Sequence, residues 1–373
     1  MTLSELQAHS VKSVGELQRQ IRGLSLDAFL VSDLSNVRYL TSFSGTTALC
    51  VIYPDSSIFL TDFRYKEQAA IEVASCEIEI YDGNVIDYLA KKIFRGLRGR
   101  KLSIGIEDTI SVGTLDELSS KVSSGEFTKT SQVIEKIASR KSKPELELIK
   151  QACSISGTAL EILVQEEWTG KSETELAATL EFNQKVMGAS KESFDTIVAS
   201  GMRGAMPHGI ASGRTIEKNE LVTIDFGCFF GGYASDITRT FSTGPKIKSR
   251  LSKVYQIVLE AQRKAADFAK AGVAAKSVDR AARSYIERKG YAKYFGHGTG
   301  HGVGLRIHEL PRVSRTSDDV LEEGNVITIE PGIYLPGIGG VRIEDDFVVT
   351  QNGVEQLTHF SKEMEYYITT YGK

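Results

Sequence analysis

The chain has no CxxC pair, and its four cysteines, Cys50, Cys76, Cys153 and Cys228, stand far apart. That spacing supports neither a disulfide framework nor a thiolate zinc site, and the four read as small buried hydrophobes. A basic excess is also missing: 45 Lys and Arg face 48 Asp and Glu, a formal net charge of −3, which excludes a nucleic-acid partner driven by charge. The longest apolar runs are strand-length pieces such as Val222 to Phe226, short of the roughly 20 residues that span a bilayer. The opening MTLSELQAHSVKSVGEL lacks the apolar centre of a secretion signal, so a cytoplasmic protein is expected. Low-complexity segments and strict repeats are missing too. Histidine is scarce, six in 373 residues, yet His297, His301 and His308 fall within one short stretch.

A length of 373 residues implies two domains with a core each. The first mixes a helix over Leu3 to Arg22 with β-rich runs at 28–33, 48–54 and 57–63, a small α/β domain. The polar stretch IASRKSKP, 137–144, ends in a proline suited to the first turn of a helix. The boundary is therefore placed there, giving domains 1–138 and 139–373. Two helices open the second domain, the later one starting at Ser172 with an S-x-x-E capping box closed by Glu175. From about Phe194 short strands and glycine turns follow, with one helix expected at Ser249 to Lys270, so the class is α+β.

The segment 221–241, LVTIDFGCFFGGYASDITRTF, reads as a β-hairpin turning within Phe229 to Gly232. If residues 230 and 231 form the turn, Asp225 faces Asp236 directly; if Gly231 and Gly232 form it, the two are diagonal. In both registers the carboxylates share one face. A second hairpin, 326–350, with a five-residue loop from Leu335 to Gly339, would pair Tyr334 with Gly340 and Glu330 with Glu344. Adjacent like charges raise each other's pKa unless a cation lies between them, and four carboxylates can hold two hard divalent ions. Between the hairpins, FGHGTGHGVGLRIHELPRV at 295–313 is a glycine-rich loop whose histidines protrude, and one of the three would complete a metal shell.

These segments, with SNVRYLTSFSG at 35–45, FLTDFRYKEQA at 59–69, FDTIVASGMRGAMPHG at 194–209, TIEPG and RIED, resemble the pita-bread metallopeptidases. That family includes prolidase, aminopeptidase P and methionine aminopeptidase, and the likeness is greatest to its proline-directed branch. The resemblance implies a pita-bread catalytic domain behind a smaller creatinase/prolidase-like α/β domain. It implies metal ligation by Asp225, Asp236, His301, Glu330 and Glu344, with Asp236 and Glu344 bridging two ions, Mn²⁺ first and Co²⁺, Zn²⁺ or Fe²⁺ as alternatives. His208 and His308 match the outer histidines that orient substrate and pass protons, Arg342 neighbours the last ligand, and His297 is left a structural role. Gly204 stands where the family commonly has serine.

The implied reaction is hydrolysis of an Xaa-Pro bond by a water made acidic by the ions. Glu330 would take its proton and His308 would polarise the scissile carbonyl. Arg312, four residues after His308, either pairs with the terminal carboxylate of a dipeptide or is a solvated loop arginine. The favoured activity is Xaa-Pro dipeptidase, with Xaa-Pro aminopeptidase as alternative. Ligand-depleted binding domains of this fold and metal-free creatinases are disfavoured, since all five ligand positions are filled. The family also implies a homodimer.

Overall fold

Short apolar runs bounded by turns build the first sheet. The computed structural model describes residues 3–95 and 101–364, and the chain divides into two units, Met1–Ala138 and Ser139–Lys373. In the first unit, β1 (Ala28–Val31), β2 (Leu49–Ile52), β3 (Ser57–Asp62), β4 (Glu77–Tyr81), β5 (Leu102–Glu107) and β6 (Gly125–Thr130) form one sheet in the order β4-β3-β2-β1-β5-β6. The pairs β1/β2 and β2/β3 are antiparallel and the rest parallel. The helix Leu3–Gly23 buries Val14, Leu17 and Ile21, a stripe at helical spacing.

The second unit opens with the helices Lys143–Leu163 and Glu173–Val186. Ser172 Oγ accepts the Glu175 N–H at 3.2 Å and Glu175 Oε2 accepts the Ser172 N–H at 2.6 Å, so the S-x-x-E signal acts as a reciprocal cap. Its strands are β7 (Lys191–Glu192), β8 (Ile197–Ser200), β9 (Leu221–Phe226), β10 (Cys228–Phe230), β11 (Tyr233–Ala234), β12 (Ile237–Ser242), β13 (Gly300–Gly302), β14 (Glu309–Val313), β15 (Val326–Ile329), β16 (Gly332–Leu335), β17 (Gly339–Arg342), β18 (Asp345–Val349) and β19 (Val354–Gln356). Two helices, Ser249–Phe268 and Ala275–Arg288, separate the hairpins, where one was expected. The extra helix buries only Ala275, Val278, Asp279, Ala282 and Ile286, an alanine-rich stripe that carries little hydrophobic signal.

Both hairpins form. In the first, Gly231 and Gly232 make the turn, both with positive φ (57° and 90°), and Phe230 pairs with Tyr233. The same register continues through Phe226–Ile237 to Asp225–Thr238, which leaves Asp236 diagonal to Asp225 on one face. Between the two halves a side chain at Gly227 would put Cβ 1.9 Å from the Ser235 carbonyl oxygen, so only glycine fits.

The second hairpin keeps the expected pairing of Tyr334 with Gly340, but Leu335 also pairs with Gly339, so the loop has three residues rather than five. Positive φ at Gly337 (70°) and Gly339 (139°) permits the tighter turn. Behind it, Val254 and Val258 of the helix Ser249–Phe268 join Ile286, Ile329 and Ile343 in one core. Truncating Ile343 to alanine there would cost about 2–5 kcal/mol.

Candidate metal centre

Strand pairing brings the two hairpins side by side. Glu344 N–H donates to the Thr238 carbonyl at 3.1 Å, and Thr240 Oγ1 donates to the Arg342 carbonyl at 2.9 Å. The first hairpin's acidic face thereby continues into the second's. His301 lies on β13, a short strand rather than a free loop. A Cβ at Gly300 would stand 2.0 Å from the Thr328 carbonyl oxygen and one at Gly302 2.1 Å from that of Leu310. Glycine on each side of His301 lets the strand sit this close, and the imidazole is carried to the carboxylates.

His301 Nε2 lies 3.7 Å from Asp236 Oδ2 and 3.6 Å from Glu330 Oε1. One ligand atom from each of Asp236, His301 and Glu344 falls within 4.8 Å of the others. His301 Nδ1 is 3.0 Å from the Gly302 carbonyl, which fixes its proton there and leaves the Nε2 lone pair facing the acids. Asp225 joins through Arg342, whose Nη2 donates to Oδ2 at 2.5 Å. Asp225 Oδ1 and Asp236 Oδ1 are buried with no hydrogen-bond partner among the described residues.

Burial, then the charges of Glu344 and Asp225, pushes the Asp236 carboxyl well above its usual range. Burial and the charges of Glu330 and Asp225 do the same to Glu344. Glu330 rises to about 8, burial outweighing the help of Arg342. His301 is lowered to about 4 by burial and by His308, so it is neutral and free to ligate. Clustered acids that repel, oxygens lacking donors and a neutral imidazole aimed among them are the complement of a divalent cation, and the residues fit one.

Around this cluster lies a cavity of about 320 Å³ whose lining includes all five predicted ligands together with His208, His308 and Arg342. His308 packs edge-on against His301, ring centroids 4.4 Å apart. Arg312 is not part of the lining; it is exposed on β14, and its charge is a lesser influence lowering the pKa of His308, after burial and His208. Arg342 Nη1 also donates to Tyr334 Oη at 2.9 Å and to the Pro207 carbonyl at 3.1 Å. Tyr334 Oη lies 2.9 Å from His297 Nε2, while His297 Nδ1 is 2.7 Å from the Gly298 carbonyl, so both ring nitrogens of His297 are engaged.

Residues not foreseen from the sequence include Tyr334 and Thr238. Tyr334 shares strand parity with Glu330, a signal that was there to use. Thr238 Oγ1 donates to Glu344 Oε2 at 2.5 Å and receives Arg342 Nε at 3.1 Å. This contact crosses between hairpins, and no local pattern announces it. Phe194, Ile197, Pro207 and Ile307 supply the apolar wall.

Metallopeptidase family M24 matches residues 147–351, and the creatinase/prolidase N-terminal domain matches residues 14–137. The Xaa-Pro dipeptidase of Pyrococcus horikoshii is 44% identical over 346 residues, covering 91% of this chain and 95% of that protein. An Xaa-Pro dipeptidase structure from Bacillus anthracis superposes with a TM-score of 0.91 at 41% identity, over 95% of this chain and 99% of that one. The X-Pro aminopeptidase of Thermotoga maritima gives 0.85 at 38% identity, over 92% and 99%. With its creatinase/prolidase N-terminal domain and pita-bread second domain, the chain belongs to metallopeptidase family M24 and is a metal-dependent peptidase.

Proposed function

We propose that this chain hydrolyses the Xaa-Pro bond, with Xaa-Pro dipeptides as the preferred substrates. The observation that carries the reading is the convergence of three buried carboxylates, the half-buried Glu330 and a neutral His301 on one cavity, with the Oδ1 atoms of Asp225 and Asp236 left without donors among the described residues. Relatives named Xaa-Pro dipeptidase in Pyrococcus horikoshii and Bacillus anthracis support the substrate class. The cavity lies at the small end of the roughly 300–1,000 Å³ of ligand pockets, which suits a dipeptide.

Asp225, Asp236, His301, Glu330 and Glu344 would hold two divalent ions, Mn²⁺ before Co²⁺, Zn²⁺ or Fe²⁺, which supply a water that ionises near neutral pH and polarise the scissile carbonyl. Glu330 accepts the proton of the attacking water and passes it to the leaving proline nitrogen. His308, neutral because burial lowers its pKa, donates a hydrogen bond to the oxygen that gains charge. His208, on the same cavity wall, orients the substrate, whose prolyl nitrogen has no N–H for recognition. Arg342 holds one oxygen of Asp225 and so aims the other inward. Arg312, exposed on β14 and outside the cavity lining, would pair with the terminal carboxylate of a dipeptide.

The described residues contain no helix long and apolar enough to cross a membrane. On this reading the protein is a cytoplasmic homodimer. The relative named X-Pro aminopeptidase favours the second reading, cleavage of longer peptides. Rates on Xaa-Pro dipeptides and Xaa-Pro-Yaa tripeptides, with and without Mn²⁺, separate the two. The dipeptidase reading expects Mn²⁺-dependent turnover with dipeptides ahead; tripeptides ahead would replace it by the aminopeptidase.

A further inference from the structure

Behind the acidic face, Arg239 is buried with every donor used. Its Nε donates to the Ser361 carbonyl at 3.1 Å, Nη1 to those of Thr238 at 2.9 Å and Glu344 at 2.5 Å, and Nη2 to Asp345 Oδ1 at 2.6 Å and the Phe360 carbonyl at 2.9 Å. A guanidinium has five N–H groups, so none is spare. Lys362 is also fully committed: Nζ reaches Asp345 Oδ2 at 2.5 Å, Gln262 Oε1 at 3.0 Å and Gln356 Oε1 at 3.2 Å. Its own carbonyl accepts Tyr255 Oη at 2.8 Å. The segment Phe360–Lys362 is thus tied to the peptide that carries Glu344.

We propose that Arg239 and Lys362 are positioning residues for the metal centre, fixing the backbone from which Glu344 projects and thereby setting metal affinity. The Glu344 peptide is clamped on both sides, its N–H on the Thr238 carbonyl and its carbonyl on Arg239, so the carboxylate leaves the strand in one direction. Asp345, one residue on, faces the opposite side of β18 and is saturated by Arg239, Lys362, Gln262, Gln356 and Thr358. Residues that orient ligands from behind typically set affinity by about 10–100-fold when replaced. Lys362 is a cation near a cation site, so if it acted through charge alone, its removal would tighten metal binding. Positioning gives the opposite sign. The inference rests on the metal-site reading of the front face.

The test is calorimetric titration of chelator-stripped protein with Mn²⁺ at pH 7, for wild type, Lys362→Met, Lys362→Arg and Arg239→Lys, with circular dichroism and melting of the metal-free forms alongside. Lys362→Met is expected to keep its secondary structure and bind Mn²⁺ about 10–100-fold more weakly, with Lys362→Arg regaining part of the loss. Arg239→Lys, which keeps the charge but not the fork, is expected to weaken binding likewise. Unchanged affinity in Lys362→Met and Arg239→Lys, with only a lowered melting temperature, would overturn the proposal, as would tighter binding in Lys362→Met. Wild type that takes up no Mn²⁺ would overturn the metal-site reading beneath it, an outcome distinct from the other two.

Discussion

Glu344 and Asp345 are neighbours in the chain, both acidic and both buried, yet their surroundings drive them in opposite directions. Glu344 faces the cavity, where burial and the charges of Glu330 and Asp225 push its pKa well up. Asp345 faces the core, where the charges of Arg239 and Lys362 overcome burial and hold its pKa down. Strand alternation alone sends the two side chains to opposite faces. One acid already has its cations from the protein, and the other belongs to a cluster whose surplus negative charge awaits them. Burial of a carboxylate is therefore no mark of function by itself; the marks are the missing counterion and the unbonded oxygens nearby.

Replacing each acid by its amide should break the contrast from both ends. Glu344→Gln is expected to lower kcat by on the order of 10³-fold or more, the several kcal/mol a metal site supplies, while leaving metal-free stability unchanged or raised. Steady-state kinetics and urea unfolding read the two effects separately. Asp345→Asn should do the reverse in kind, destabilising the fold by about 3–5 kcal/mol because Arg239 and Lys362 lose their buried anion. A urea midpoint close to wild type would contradict that.

Glu330 has a folded pKa of about 8 against an ordinary 4.5, so the folded metal-free protein keeps a proton that the unfolded chain releases. That stabilisation is complete below about pH 4.5 and is lost as the pH rises through about 8. Asp345, held below its ordinary 3.8, contributes stability above that value and loses it on acidification. Metal-free protein should therefore have a lower urea midpoint at pH 9 than at pH 6, and divalent metal should remove the difference while releasing protons on binding. The smallest effect is expected at Arg312→Ala: an exposed cation pairing with a terminal carboxylate contributes about 0.2–1 kcal/mol, under tenfold in kcat/KM for dipeptides and nothing for longer peptides.

Much of the site could be read from hairpin parity, because a two-residue period fixes which side chains share a face wherever the turn is known. The shared face of Asp225 and Asp236 and the pairing of Tyr334 with Gly340 both follow from it, while the diagonal of the two aspartates depended on which residues turn. The second hairpin's loop length was misjudged because two glycines at positive φ close it more tightly than its sequence length suggests. The helix Ala275–Arg288 escaped because only Val278 and Ile286 on its core-facing stripe are large hydrophobics, the rest being Ala275, Ala282 and Asp279. Contacts between the hairpins, such as Thr238 with Glu344, and from the first hairpin to the segment after the last strand, such as Arg239 with Phe360, join residues more than a hundred positions apart and leave no local pattern. Resemblance, rather than periodicity, singled out His301 among the three histidines.

Titrating metal-free protein with Mn²⁺ and counting bound ions per chain distinguishes a divalent-metal centre made by the front carboxylates and His301 from the acid behind them, which holds none. Two ions are expected in wild type and in Asp345→Asn that remains folded, with loss of tight binding in an Asp236→Asn, Glu344→Gln double variant. Undiminished uptake by that double variant would contradict the metal-centre assignment.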